Sequence, residues 1–222
     1  MIDECLDTQL NKLNYQLWCS PKFVGIDRHA VDSFVHLDED VYLWNPLPER
    51  LFNERVFGQN KEDLADFFYN YRAFTSSLQV KPAGWAQYRS SYAINGGILG
   101  GSDVAFWRLF IRSHWELIGN MRCSRQPEMF ITDQVAVMAE QYFLAWFCQR
   151  QNVPVGFLLE ETDGKAEITE KGYTHLIGHA KRMPEVLGRL EQRVQADYPE
   201  FVERVDKGVR MLRKRFPKSR TR

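Results

Sequence analysis

The feature that most constrains the fold is an alternation of strand-like and helix-like segments along most of the chain. Short runs rich in β-branched and aromatic residues alternate with longer runs in which apolar residues recur every three or four positions. This alternation is typical of α/β proteins, in which helices cover a parallel or mixed sheet. The chain has 222 residues and is 44% hydrophobic, which is enough to bury a core. We therefore expect an α/β domain over residues 1–195 with a mixed, mainly parallel sheet, and a helical, basic C-terminal tail over 196–222.

The expected elements follow from apolar spacing and from helix-capping residues. Asn60, Ser102 and Thr132 are the residues that we expect to cap three of the helices. The expected order is a helix over 3–18, strands at "KFVGI" and "SFVHL", a helix over "NKEDLADFFYNYRAFTSSL", a strand at "SSYAI", helices over "DVAFWRLFIRSHWELIG" and "TDQVAVMAEQYFLAWFCQRQ", a strand at "VPVGFLLE", a turn in "DGKAEIT", a strand or loop at "GYTHLIGHAK", and helix from Pro184 to about Phe216 with a break near "DYPE".

Charge and cysteine usage limit the compartment and the partners. Formal net charge is zero, but residues 208–222 hold seven basic residues and no acidic ones. This tail is either a solvated terminus or a peripheral contact with anionic lipid at the inner membrane surface. It has one aromatic residue, Phe216, so it lacks the stacking platform of a nucleic-acid binder. Four cysteines without metal-ligand spacing, an acidic N-terminus and the absence of a long apolar run predict a cytoplasmic protein with reduced thiols.

Three carboxylates, Asp38-Glu39-Asp40, follow directly after the strand-like run "FVHL". Side chains alternate faces along a strand, so we expect Asp38 and Asp40 to point to the same side and Glu39 to the other. Two carboxylates at the carboxyl end of a strand can bind a hard divalent cation, which removes their mutual repulsion. The alternative is a polar, solvated strand end.

The run "NGGILGG", which begins at Asn95, contains four glycines in seven residues. Such a run indicates either a close approach of a ligand to the backbone or a hairpin turn at Asn95-Gly96. It is neither a phosphate-binding P-loop nor a dinucleotide fingerprint, because the residues that those motifs require do not follow.

Two further motifs carry polar groups. In Thr132-Asp133-Gln134, the residues either start a helix or hold a carboxylate and an amide rigidly toward a polar substrate. In "HLIGHAK", which begins at His175, an imidazole can complete a divalent-metal site, and a glycine and a lysine can accommodate anionic oxygens. Alternatively, His179 and Lys181 are surface residues. We interpret His36 and His114, which lack comparable neighbours, as structural.

Taken in order, these four motifs resemble those of retaining glycosyltransferases of the glycogenin and lipopolysaccharide-galactosyltransferase type, which have a GT-A fold. That family carries a D-x-D, an Asn-small-Gly element, an Asp-Gln pair and H-x-x-G-x-x-K. The chain is also similar to a group of bacterial glycosyltransferase-like proteins through "FVHLDEDVYLWNPLP", "INGGILGG" and "YTHLIGHAKRMPEVLGRLEQRV". The resemblance covers roughly residues 20–195. The family's K-P-W ending is absent, since Arg182-Met183 follows Lys181.

The resemblance implies a metal-dependent transferase that moves a sugar from a nucleotide-diphosphate sugar, of the uridine diphosphate class, to an acceptor glycan or lipid with retention. It implies that Mn²⁺ or Mg²⁺ bridges the diphosphate and stabilises the leaving group. The residues that it assigns are Asp38, Asp40 and His175 to the metal, Gly178 and Lys181 to the diphosphate, Asn95 with Gly97 and Asp133 to the donor sugar, and Gln134, with Asp133, to the catalytic centre.

The position of the D-x-D departs from the family pattern, because only 37 residues precede Asp38. A βαβ unit needs about 30 residues or more, so the first nucleotide-binding strands of a GT-A fold are expected to be missing. Either the chain is N-terminally shortened, or another polypeptide supplies that half, or the fold is reduced. A sheet that lacks these strands has an unpaired edge, so we expect association with a partner chain or a second copy, and weak or absent activity of the chain alone. The alternative function is a non-catalytic interaction protein built on a degenerate GT-A-like domain.

Overall fold

The computed structural model describes residues 20–65, 70–121, 133–159, 172–176, 178–205 and 207. The expected helix over 3–18, the cap at Thr132, the turn in "DGKAEIT" and the basic tail from residue 208 lie outside the described residues. The chain divides into two compact units, Met1–His175 and Leu176–Arg222.

The first unit is a mixed α/β structure. Its strands form one four-stranded sheet in the order β1-β6-β3-β7 and two pairs, β2-β8 and β4-β5. The strands are β1 (Phe34–Leu37), β2 (Val41–Leu43), β3 (Phe57–Gly58), β4 (Lys61–Asp63), β5 (Tyr92–Ile94), β6 (Ile98–Gly101), β7 (Gly156–Phe157) and β8 (Tyr173–His175). The strand predictions at "SFVHL" and "SSYAI" are confirmed by β1 and β5.

The expectation of a mainly parallel sheet is wrong for the described strands. Four of their pairings are antiparallel, and only β3 and β7 run parallel. The reason lies in the order of the elements. A parallel pair needs a crossover between its strands, but the long helices of this unit follow one another over residues 104–150 instead of separating successive strands.

Six helices have defined bounds among the described residues, together with two 3₁₀ segments, one π-helical segment and a further helical run at 199–205. The helices are α1 (Pro21–His29), α2 (Tyr71–Ser77), α3 (Val104–Gly119), α4 (Asp133–Val137), α5 (Phe143–Arg150) and α6 (Pro184–Asp197). The π-helical residues Met138–Tyr142 connect α4 to α5, so the helix expected from residue 132 is present with a π-helical insertion.

Two segments differ in type from the prediction. "KFVGI" lies in helix α1 and is not a strand, because Pro21 favours a helix start and Phe23 and Ile26 fall on one buried face. Among the described residues, the helix expected from Asn60 is present at Tyr71–Ser77, and the side chain of Asn70 accepts from the Ala73 amide at 2.9 Å. Residues 61–63 pair instead with β5.

Helix α3 begins one residue later than predicted. Asp103, and not Ser102, caps it, since the Asp103 carboxylate accepts from the Phe106 amide at 2.9 Å. Phe106, Phe110 and Leu117 are buried as the apolar spacing predicts, whereas Leu109 is 43% exposed. The buried face of α3 packs against α5 in an aromatic core that includes Trp107, Phe110, Phe143, Trp146 and Phe147.

A smaller apolar cluster lies beside the strands that carry the polar motifs. It consists of Leu51, Phe57, Ile98, Leu158, Leu159 and Tyr173, with Val41 packed against it. Because Val41 and Tyr173 lie on β2 and β8, this cluster anchors the pair of strands that bounds the candidate site.

The second unit contains a 3₁₀ segment, Gly178–Arg182, followed by α6. Helical residues resume at 199–205 after Tyr198, which confirms the predicted break near "DYPE". Among the described residues, no helix is long and apolar enough to cross a membrane.

Candidate functional site

The structure brings Asp38, Asp40 and His175 together. Each offers one possible ligand atom, and these atoms all lie within 4.8 Å of one another. Strand pairing explains the convergence, because Val41, next to Asp40, is the register partner of His175. Residues 135 positions apart in sequence thus meet at the end of a two-stranded ladder.

The backbone at the carboxylates is a turn and not the expected continuation of a strand. Strand β1 ends at Leu37, and the Val41 amide donates to the Asp38 carbonyl at 3.0 Å. The alternating-face argument for Asp38 and Asp40 is therefore wrong in its geometry. The two carboxylates converge because the chain turns back on itself between β1 and β2.

The imidazole of His175 is held from both sides. Its Nδ1 lies 2.9 Å from Gln59 Oε1, and its Nε2 lies 3.5 Å from Asp40 Oδ1. Since an amide oxygen only accepts, the contact with Gln59 requires a proton on Nδ1. When the imidazole is neutral, Nε2 then carries the lone pair, which is the arrangement of a metal-ligating histidine.

Gly97 makes this arrangement possible. A Cβ at this position would collide with the His175 ring, reaching 2.6 Å from Nδ1 and 2.8 Å from Gln59 Oε1. Gly96 is equally confined, because an added Cβ would overlap the carboxylate of Glu140 and lie 3.2 Å from Lys22 Nζ. In the described structure these two glycines accommodate protein side chains. The hairpin interpretation does not apply, since β5 and β6 pair with other strands.

Lys22 on α1 connects the turn to the helical layer. Its Nζ lies 2.8 Å from Asp38 Oδ1 and 2.6 Å from Glu140 Oε1, and it donates to the Gly96 carbonyl at 3.2 Å. Burial would lower the pKa of Lys22, but the adjacent carboxylates of Glu140 and Asp38 outweigh burial and hold that pKa above its ordinary value. Lys22 therefore stays charged, which keeps Glu140, a 2% exposed side chain, paired.

Asp38 is held in its ionised form. Burial raises its pKa, but hydrogen bonding from His36 and the charge of Lys22 outweigh burial and lower the pKa from 3.8 to about 2. His36, which we interpret from the sequence as structural, contacts the site, since its Nε2 lies 3.1 Å from Asp38 Oδ1. His36 lies in β1, and Asp38 lies two residues further on, just after β1 ends.

His114 lies in the core, as expected for a structural residue. It is fully buried among Phe23 and Phe110, and its Nε2 lies 3.1 Å from Ser20 Oγ. Burial lowers the pKa of His114 to about 3, so its imidazole is neutral at physiological pH.

Asn95 is buried and bonded within the protein. Its Oδ1 accepts from the Gly97 amide at 3.0 Å, and its Nδ2 donates to Glu62 Oε1 at 2.5 Å. These bonds fix the path of the backbone between β5 and β6. The assignment of Asn95 to donor-sugar binding stays a prediction.

The remaining predicted residues lie on helix α4 and in the second unit. Asp133 and Gln134 form the first turn of α4, in the same continuous helical segment as Glu140. Gly178 and Lys181 lie in the 3₁₀ segment of the second unit, where Lys181 is exposed. Their assigned contacts with a sugar or a diphosphate stay predictions.

Sequence reasoning missed three residues of the site: Lys22, Gln59 and Glu140. Glu140 had a usable signal, since it is an acidic residue within the otherwise apolar helix "VAVMAEQYFLAWFC". Lys22 and Gln59 belong to no motif, and only the tertiary structure shows their roles.

The three-residue cluster fits a divalent cation in chemistry, charge and size. Two carboxylate oxygens and an imidazole nitrogen suit Mg²⁺ or Mn²⁺. In formal charge, the carboxylates of Asp38, Asp40 and Glu140 and the ammonium of Lys22 sum to two negative charges. Opposite ligands of Mg²⁺ are about 4.2 Å apart, so the observed spread of 4.8 Å needs only a small side-chain adjustment.

Fold and site together define a mixed α/β protein with a candidate divalent-cation site of two aspartates and one histidine. The chain belongs to DUF6734, a family of unknown function whose family model matches residues 1–207. No curated protein matches the chain.

Proposed function

We propose that the protein is a metal-dependent glycosyltransferase of GT-A type that uses a nucleotide-diphosphate sugar as donor. The observation that carries the proposal is the convergence of Asp38, Asp40 and His175, whose possible ligand atoms lie within 4.8 Å of one another. Motif order in the sequence suggested this meeting point, and strand pairing in the structure supplies a physical reason for it. The donor class and the retaining outcome rest on the resemblance of the motifs.

The chain's own residues have separable roles in this proposal. Asp38, Asp40 and His175 hold the cation, and Gln59 keeps the His175 Nε2 lone pair available for it. Lys22 keeps Asp38 ionised and holds it against the helical layer. A cation held there would supply positive charge to stabilise the diphosphate leaving group.

The test is calorimetric titration of uridine diphosphate into the full chain, with Mn²⁺ and then with a chelator. We expect binding that requires Mn²⁺ and is lost in the double variant Asp38→Ala, Asp40→Ala. Glu39→Ala is the matched control, because it removes a neighbouring exposed carboxylate outside the three-residue cluster and should bind as the wild type does. Binding that is equal with and without Mn²⁺, or unchanged in the double variant, would contradict the proposal.

Turnover is measured separately, as release of uridine diphosphate from a panel of uridine diphosphate sugars. Release that requires Mn²⁺ and is lost in Asp40→Asn supports the transferase. Metal-dependent nucleotide binding without release or transfer for any donor would contradict catalysis by this chain and favour a non-catalytic role for the same site.

A further inference from the structure

His175 is the end of a chain of hydrogen bonds between buried amide side chains. Its Nδ1 lies 2.9 Å from Gln59 Oε1, and Gln59 Nε2 donates to Asn60 Oδ1 at 3.1 Å. Asn60 Nδ2 in turn donates to the Lys61 carbonyl at 2.8 Å and to Glu62 Oε1 at 3.3 Å. Gln59 and Asn60 are 1% and 4% exposed, so solvent cannot readily replace these bonds.

The acceptors at the Lys61 end of this series of hydrogen bonds fix the orientation of both amide side chains. A backbone carbonyl and a carboxylate can only accept, so the Asn60 amide must turn its nitrogen toward Lys61 and Glu62. Its oxygen then faces Gln59 and requires a donor there. Gln59 consequently presents its own oxygen to His175. Reversing Gln59 would bring two buried acceptor oxygens into contact, which is unfavourable without a compensating donor.

We infer that Gln59, oriented by Asn60, is a positioning residue that fixes the tautomer of His175. The amide chain holds the proton on Nδ1 and leaves the Nε2 lone pair facing Asp40. Gly97 provides the space that this contact needs, since a Cβ there would intrude between the imidazole and the Gln59 oxygen. Gln59 would therefore act on a cation only through His175.

The first test is ¹⁵N NMR of the metal-free full chain at alkaline pH, where neutral imidazole dominates. The protonated and bare nitrogens of a neutral imidazole resonate at distinct positions, so the spectrum reports the tautomer directly. The chain has five histidines, and the signals lost in His175→Gln assign this one. We expect a single Nδ1–H form in the wild type.

Two variants at Gln59 separate positioning from general structural support. Gln59→Met keeps a similar volume but removes the acceptor, and we expect the Nε2–H form to become populated. Gln59→Glu keeps an acceptor oxygen toward His175 but removes the donor to Asn60 Oδ1, so we expect Nδ1 to remain protonated in a less stable protein. Circular dichroism and thermal unfolding of each variant check that the fold is retained.

The second measurement is the affinity for Mn²⁺ alone, and it rests on the function proposed above. We expect affinity to fall 10- to 100-fold in Gln59→Met, the usual loss when a hydrogen-bond partner of a ligand is removed, and to recover most of this loss in Gln59→Glu. An Nε2–H form in the wild type, or an unchanged tautomer in folded Gln59→Met, would overturn the inference. A correct tautomer pattern without Mn²⁺ binding would instead contradict the proposed function and leave the inference standing.

Discussion

Asp38 is a single residue whose ionisation links the candidate site to the stability of the fold. Its pKa falls from 3.8 to about 2 because hydrogen bonding from His36 and the charge of Lys22 outweigh its burial. A folded pKa below the unfolded one stabilises the protein above pH 3.8, and this contribution is lost as pH falls toward 2. Its full size is about 2 kcal/mol, of which about 1 kcal/mol disappears between pH 5 and pH 3.

Asp38→Asn should therefore make the free energy of unfolding less dependent on pH under acidic conditions. Between pH 5 and pH 3, the free energy of unfolding of the metal-free wild type should decrease as Asp38 becomes protonated in the unfolded state. In this variant, we expect that decrease to be about 1 kcal/mol smaller. Urea denaturation at several pH values measures the difference. Glu39→Gln, which changes an exposed neighbour, is the control and should keep the wild-type slope. Identical slopes for Asp38→Asn and wild type would show that Asp38 is not held as described.

The close packing at the site requires a glycine at position 97. A Cβ at this position would meet the His175 ring and Gln59 Oε1, so Gly97→Ala should displace the imidazole and cost about 1–3 kcal/mol. Gly25→Ala is the matched control, because no atom lies within 4 Å of an added Cβ in helix α1. We expect that control to stabilise the protein by about 0.5–1 kcal/mol. Chemical denaturation measures both, and equal effects of the two substitutions would contradict the close packing at Gly97.

The start of helix α3 depends on Asp103. Its carboxylate accepts from the Phe106 amide at 2.9 Å and pairs with Arg55 at 2.6 Å. Asp103→Ala should cost about 1 kcal/mol of unfolding free energy, whereas Asp103→Ser, which keeps a capping oxygen, should cost less. Ser102→Ala is predicted to change stability by at most a few tenths of a kcal/mol, since Ser102 is exposed and does not cap the helix. A larger loss in Ser102→Ala than in Asp103→Ala would reverse the assignment of the cap.

Local sequence patterns predicted the helices and strands correctly where no packing or strand pairing elsewhere in the fold favoured a different structure. The apolar run before Asp38 forms β1, and "DYPE" interrupts the C-terminal helix. Residues 61–63 belong to the helix that the sequence predicts with Asn60 as its cap, but these residues pair with β5 instead. The strand-like composition of "KFVGI" likewise gave way to burial of Phe23 and Ile26 on one helical face.

The candidate site was predictable only in part, for a related reason. The order of the motifs suggested that three of their residues share a cation, so this association was predictable from the sequence. These residues are Asp38, Asp40 and His175. Gln59 and Lys22 contact the same cluster through single side chains that no motif marks. Their roles depend on which strands and helices pack together, and this packing cannot be deduced from the local patterns of a single sequence.

At the scale of the whole molecule, the pair of Lys22 and Glu140 joins segments 118 residues apart. Both side chains are nearly inaccessible, at 8% and 2% exposure. Lys22→Met removes the ammonium that contacts both Glu140 and Asp38, so it should destabilise the protein by about 3–5 kcal/mol. The double variant Lys22→Met, Glu140→Gln should cost less than the sum of the two single changes. A double-mutant cycle by urea denaturation measures this coupling.

The control for that cycle is Arg193 and Asp197 on helix α6. These side chains lie 3.4 Å apart, four residues apart in sequence, and both are about half exposed. Solvent screens such a pair, so we expect a coupling energy below about 0.5 kcal/mol. Comparable couplings for the two pairs would contradict the description of Lys22 and Glu140 as a buried connection.

Anomalous scattering of Mn²⁺ in crystals of the protein tests most directly whether Asp38, Asp40 and His175 bind a cation. We predict one strong peak about 2–2.6 Å from oxygens of Asp38 and Asp40 and from His175 Nε2, with Nδ1 still bonded to Gln59. We also predict loss of that peak in Asp40→Asn. A peak located only at other residues, or no peak at the cluster in crystals saturated with Mn²⁺, would contradict the claim that these three side chains form a cation site.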